Sequence, residues 1–279
     1  MMEKLTTPSV VRRILCQYGV SLQKSLGQHF LVDANVLQCI LEAIPASAED
    51  RVIEIGAGIG TLTVALAPQV GKLFAVEIDP RLIPILQENV SPFPNVKIVH
   101  ADFQDLKLAE FGEDLVIVGN LPYGITSEVL LKLVRERGSV SRAVFTVQWE
   151  VGEKLVARPG PNTTRLAVHL RAYYEVELLR KVSRTVFFPP PEVDGALVRL
   201  FRLPSPAITA TEEAFARTLA LAFQQRRKTL RHILAKHFSA ALAEEILKEL
   251  ELDPRIRAEA LDIQQWDQLA LALSARGLL

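Results

Sequence analysis

The sequence predicts an α/β fold, an open sheet followed by a separate helical segment. Three observations predict it. Short apolar, β-branched runs alternate with stretches of helical spacing from residue 51 to residue 202. Glycine-rich or polar residues follow four consecutive runs, at the sheet edge where ligands bind in such folds. Beyond Leu203-Pro204-Ser205-Pro206 the composition turns to Ala, Leu, Glu and Arg with helical periodicity to the end.

In order, Thr7-Pro8 opens a helix with an apolar face of Val11, Ile14, Leu15 and Tyr18, closed by Gly19. A polar loop, Lys24-Ser25-Leu26-Gly27-Gln28-His29, comes next; its histidine alone reads as a surface residue. Asp33 caps a second helix faced by Val36, Leu37, Ile40 and Leu41. Residues 51–55 form a strand that runs into Gly56-Ala57-Gly58-Ile59-Gly60 and a helix over 61–67. Such a turn brings a ligand to the backbone and to a helix N-terminus, although the spacing also suits a plain tight turn.

The next strand, 72–76, ends at Glu77-Ile78-Asp79, about twenty residues after the first glycine, where an acid receives ribose hydroxyls in nucleotide sites. Strand 96–99 ends at His100-Ala101-Asp102-Phe103. Asp102 suits an adenine amino group, with Phe103 packed near it. Each carboxylate alone would serve equally as a helix cap or a solvated charge. Strand 115–119 ends at Asn120-Leu121-Pro122-Tyr123, before a helix over 125–137. Here an amide oxygen, a backbone carbonyl, a stiffening proline and an aromatic face suit an exocyclic amino group on a flat base. A packed strand-end turn would use the same residues. Four polar sites at four strand ends exceed what packing requires.

Residues 142–147, 176–182 and 196–202 read as further strands and 163–173 as a helix. Phe187-Phe188-Pro189-Pro190-Pro191 begins a stiff loop. It offers Phe187 as an aromatic wall opposite Tyr123, although on composition alone both phenylalanines are core. Between Arg217 and Phe238 stand six Lys or Arg residues and no Asp or Glu. The chain has no net charge, so a phosphate-binding surface must be local to such a stretch. A solvated helix face would have the same composition.

At 279 residues the chain suits one large and one small domain. Cys16 and Cys39 have neither metal-ligand nor disulfide spacing and read as reduced core thiols of a cytoplasmic protein. No signal-peptide core and no run long enough to cross a bilayer stands out, and no metal is expected.

Six segments in order resemble the ribosomal RNA adenine N6,N6-dimethyltransferases, the family of the kasugamycin-susceptibility enzyme of the small (16S) subunit. They are residues 24–31, 53–58, 76–79, 119–123, 187–200 and 223–231, the last reading Phe223-Gln224-Gln225-Arg226-Arg227-Lys228-Thr229-Leu230-Arg231. The resemblance implies a Rossmann-like class I methyltransferase with a seven-stranded, mostly parallel sheet. Its catalytic domain would span residues 1–203, with a helical RNA-binding or accessory domain over 204–279. It implies S-adenosylmethionine as methyl donor and no metal. The acceptors would be two adjacent adenines near the 3′ end of small-subunit RNA, within the subunit or its precursor, and the enzyme would act as a monomer linked to subunit biogenesis.

By the same resemblance Gln28, His29 and Leu31 close over the donor, and Gly56 and Gly58 line it. Glu77 meets its ribose and Asp102 its adenine, with Phe103 packed near it, and Ile78 and Asn120 complete the donor site. Asn120, Leu121, Pro122, Tyr123 and Phe187 hold the target base, and Arg226, Arg227, Lys228 and Arg231 hold RNA. His29 stands where the family usually has Asn, and Gly195 where Ser is common. Leu121 favours this family over the large-subunit resistance methylases, which often carry Ile. The competing readings are a large-subunit or DNA adenine methylase, or a non-catalytic assembly or transcription factor on the same scaffold.

Overall fold

The computed structural model describes residues 5–23 and 27–279; Lys24, Ser25 and Leu26 of the first motif lie outside the described residues. The chain forms two compact units, Met1–Gly152 with Val176–Arg202, and Glu153–Glu175 with Leu203–Leu279.

In chain order the elements are α1 (Pro8–Gln17), β1 (Phe30–Leu31), α2 (Ala34–Ala43), β2 (Arg51–Ile55), α3 (Thr61–Leu66), β3 (Lys72–Glu77), α4 (Ile83–Val90) and β4 (Val96–His100). Then come β5 (Leu115–Asn120), α5 (Thr126–Arg135), β6 (Val140–Gln148), α6 (Trp149–Leu155), α7 (Arg165–Arg171), β7 (Tyr174–Val182), β8 (Phe187–Phe188) and β9 (Gly195–Arg202). The helices α8 (Glu212–Ala222), α9 (Leu230–His237), α10 (Ala240–Glu249) and α11 (Ile263–Ala275) complete the chain.

Seven strands make one sheet in the order β4-β3-β2-β5-β6-β9-β7. β4, β3, β2, β5 and β6 run parallel, and β9 is antiparallel to β6. Central parallel strands are covered on both faces, which is why β5 begins with the unbroken run Leu115-Val116-Ile117-Val118, wholly shielded from solvent. The chain steps outward from β2 through β3 to β4 and returns at β5. That reversal opens a crevice at the carboxyl ends of β2 and β5. Ile55 pairs with Gly119, so the glycine turn and Asn120 leave the sheet side by side. A side chain at Gly119 would put its Cβ 2.7 Å from the Ile55 carbonyl oxygen.

Asp33 caps α2 as expected, its carboxylate accepting from the Val36 N–H at 2.9 Å. A two-stranded ribbon, β1 with β8, is new: Phe30 pairs with Phe188 and Leu31 with Phe187. Neither cysteine is a core thiol. Cys16 is exposed because Val11 and Leu15 take the buried face of α1, and Cys39 is half-buried.

The second unit is helical and includes residues 153–175, ahead of the expected boundary at 203. Its α7 buries Ala167, Val168 and Leu170. The Tyr173 and Ala172 carbonyls accept from Leu203 N and Ala207 N at 2.9 and 2.8 Å, tying the excursion to the later chain. A proline-rich linker marks only one of the three places where the chain passes between units. Phe215, Leu234, Ile246 and Trp266 fill this unit's core.

Candidate functional site

A cavity of about 690 Å³ opens at the carboxyl ends of β2, β3, β4, β5 and β6. Gln28, His29, Leu31, Gly56, Gly58, Glu77, Ile78, Asp102, Phe103 and Asn120, each expected to meet the donor, all line it. So do Pro122 and Tyr123 of the acceptor loop.

The glycine turn folds back on β3, with Gly56 and Ala57 donating to the Val76 carbonyl at 2.9 and 3.0 Å. Gly58 has φ +59°, and a Cβ there would stand 3.1 Å from the Phe30 ring, so glycine is demanded twice over. Its N–H donates to one Glu77 oxygen at 2.7 Å, and the Asp79 N–H donates to the other at 2.8 Å. Burial nonetheless holds the Glu77 carboxyl above its ordinary range, against the pull of those N–H groups. Gln28 is aimed by donating to Asp79 at 2.7 Å. Hydrogen bonds from Arg81 lower the Asp79 carboxyl to about 2. Asp102 accepts from Gln104 N through Oδ1 at 2.8 Å.

Asn120 is half-buried, and its Nδ2 donates to the His29 carbonyl at 2.9 Å. That bond fixes the amide plane and leaves Oδ1 to accept. Leu121 is buried, and its N–H donates to the Thr146 carbonyl at 3.0 Å. No described residue donates to its own carbonyl. The Tyr123 hydroxyl donates to the Val193 carbonyl at 3.3 Å, joining the acceptor loop to the proline loop. His29 Nδ1 lies 2.7 Å from the Pro189 carbonyl, so the histidine holds the same loop that Tyr123 reaches.

Phe187 does not form the wall opposite Tyr123. It is 4% exposed and packs in the core with Leu31, Val182 and Leu197. Its pairing with Leu31 sends the ring inward, and Phe188 packs on the α1 side with Arg12 over its ring. Pro189, Pro190, Pro191, Glu192 and Val193 line the cavity instead. Gly195 leaves no room for a side chain to project freely, since a Cβ would stand 3.1 Å from Thr146 Cγ2.

Sequence reasoning missed Glu54, Thr61, Thr146 and Gln148 in the lining. Glu54 had a signal, an acid inside the apolar strand Val52-Ile53-Glu54-Ile55. It is 3% exposed, and burial pushes its carboxyl up to about 8. Glu54 Oε2 and the Thr61 hydroxyl have no hydrogen-bond partner among the described residues. Orphaned polar atoms beside the open backbone of Gly56 fit a ligand with an apolar body and polar ends.

Glu54 gives a pH prediction. Below its ordinary value of 4.5 the acid is neutral folded and unfolded. Between 4.5 and about 8 the unfolded chain ionises while the folded site stays protonated, so stability falls as pH rises. In denaturant titrations Glu54→Gln gains on the native chain by on the order of 4 kcal/mol between ~pH 4 and ~pH 8. An unchanged difference across that interval contradicts the assignment.

Of the four expected RNA contacts, two are engaged within the helical unit. Arg226 donates to the Pro161 and Thr163 carbonyls at 2.9 and 3.1 Å, and Arg231 pairs with Glu244. Arg227 and Lys228 are exposed, and their side chains have no ion pair or hydrogen bond among the described residues. Also among the described residues, no three His, Cys, Asp or Glu side chains group as metal ligands do, and no helix is long and apolar enough to cross a membrane.

The family model "Ribosomal RNA adenine dimethylase" matches residues 19–274. A ribosomal RNA small subunit methyltransferase A of Bacillus mycoides is 40% identical over 286 residues, covering 98% of each chain. That of Bacillus cereus strain AH187 is equally similar. Among solved structures, a dimethyladenosine transferase from Plasmodium falciparum superposes with a TM-score of 0.77 at 26% identity, over 88% of this chain and 97% of the other. The 23S rRNA methyltransferase ErmE gives 0.70 at 29% identity, over 88% of this chain and 99% of its own.

Proposed function

Because the chain belongs to the ribosomal RNA adenine dimethylase family, we infer that it dimethylates N6 of two adjacent adenines near the 3′ end of small-subunit ribosomal RNA. It is an S-adenosylmethionine-dependent methyltransferase. The observation that carries the assignment is a single cavity lined by both the nucleotide-type residues and the acceptor loop.

Gly56, Gly58, Glu77, Ile78, Asp102 and Phe103 hold the donor, under Gln28, His29 and Leu31. When bound, it supplies an electrophilic methyl group on sulfur. The chain's task is then to present a poor nucleophile, because adenine's amino lone pair is delocalised into the ring. Asn120 Oδ1 and the Leu121 carbonyl accept the two N–H bonds, which favours a pyramidal nitrogen with its lone pair free to attack. Tyr123 stacks on the base, worth ~1–3 kcal/mol. The adenine leaves its own stack to reach the loop. The methylated nitrogen is acidic and gives its proton to water, so no strong base is required. Pro190 and Val193, rather than Phe187, face the base from the proline loop in this reading.

The helical unit holds RNA through Arg227 and Lys228. The enzyme acts as a monomer in the cytoplasm, on the small subunit or its precursor. The 23S rRNA methyltransferase ErmE makes large-subunit RNA the second reading, but the 40% identity lies with proteins named for the small subunit. Mass spectrometry of small-subunit RNA tests the choice. Cells lacking the protein should lack the dimethyladenosine pair and regain it on complementation. An unchanged pair in those cells overturns the proposal.

A further inference from the structure

We propose that Lys132 is a positioning residue for the donor's adenine, acting by stapling the loop that carries Asp102 and Phe103 to α5. The proposal rests on the assignment of Asp102 to the adenine amino group. Lys132 is only 4% exposed. Its ammonium donates to the Gln104 and Leu106 carbonyls at 3.2 and 2.5 Å and to Glu136 at 2.5 Å. The other Glu136 oxygen accepts from Leu108 N at 2.6 Å. The ion pair thus grips three points of a loop that has only short 3-10 turns, Phe103–Asp105 and Leu108–Glu110, to hold its shape.

Gln104 links staple to site, since its carbonyl accepts from the Lys132 ammonium while its N–H donates to Asp102 Oδ1 at 2.8 Å. The ammonium also stands 5.8 Å from the Phe103 ring centre. An apolar side chain of similar volume would fill the same space without the desolvation cost of a buried charge. What such a side chain cannot do is orient two carbonyls at once. Because α5 follows directly from the acceptor loop, the staple also ties the adenine end of the cavity to the helix that continues from Tyr123.

The test measures dissociation constants of S-adenosylhomocysteine and of its analogue lacking the 6-amino group. The native protein should prefer the amino compound by about tenfold or more, the usual worth of a hydrogen bond to a carboxylate. Asp102→Ala should abolish the preference. Lys132→Met should reduce it at least about threefold, and Glu136→Ala, on the partly exposed side of the pair, should reduce it less. A ratio of affinities is insensitive to a general loss of folded protein. If Asp102→Ala abolishes the preference while Lys132→Met and Glu136→Ala both keep it, Lys132 does not position the loop. If Asp102→Ala itself keeps the preference, the adenine assignment falls and takes the proposal with it.

Discussion

Replacing Asn120 by alanine lowers kcat for methyl transfer on the order of a thousandfold, about 4 kcal/mol of transition-state stabilisation, while S-adenosylhomocysteine binds nearly as before. The size follows from what the amide does. One end is fixed by the His29 carbonyl at 2.9 Å, so Oδ1 costs no reorganisation when the adenine nitrogen pyramidalises. Alanine removes that acceptor at the reacting atom. Donor binding survives because Glu77, Asp102 and the glycine turn, which carry most of the donor's contacts in this reading, are untouched. Single-turnover rates at saturating donor and RNA, with donor affinity measured separately, make the comparison. Undiminished turnover, or equal loss of donor affinity, removes Asn120 from the acceptor role.

Charge reversal at Arg227 and Lys228 together gives the second large effect. RNA affinity falls on the order of a hundredfold at physiological salt, and the salt dependence flattens by about two units of slope. Both side chains are exposed and unpaired among the described residues, so their charges are available to phosphates. Arg226 behaves differently, since it already donates to the Pro161 and Thr163 carbonyls. Its substitution loosens the helical unit more than it removes a phosphate contact. Thermal unfolding separates the two cases, with Arg226→Ala lowering Tm and Arg227→Ala leaving it. Equal affinity and equal slope in the double reversal would exclude this turn as an RNA surface.

The sheet and the strand-end lining of the cavity were legible in the sequence because both are local. Apolar runs declare the strands, and Gly56, Glu77, Asp102 and Asn120 each follow a run directly. What was not legible depends on distant partners. β1 and β8 are two residues each and join Leu31 to Phe187, which no periodicity encodes. That pairing turns Phe187 into the core, where composition alone had put it and the family likeness had not. Lys132 sits on α5 among the buried Val129, Leu130, Leu133 and Val134. A lysine between them reads as solvated until the carbonyls of Gln104 and Leu106 are seen beside it. Arg226 and Arg227 are adjacent and chemically identical, yet only one is bonded to its own unit.

Incubating the purified protein with methyl-labelled S-adenosylmethionine and undermethylated small subunits, large subunits or DNA tests the central claim most directly. Label should enter small-subunit RNA alone and be recovered as N6,N6-dimethyladenosine at two neighbouring positions. Label in large-subunit RNA or DNA, or a modified base other than N6-methylated adenine, would contradict an acceptor loop built around the adenine amino group.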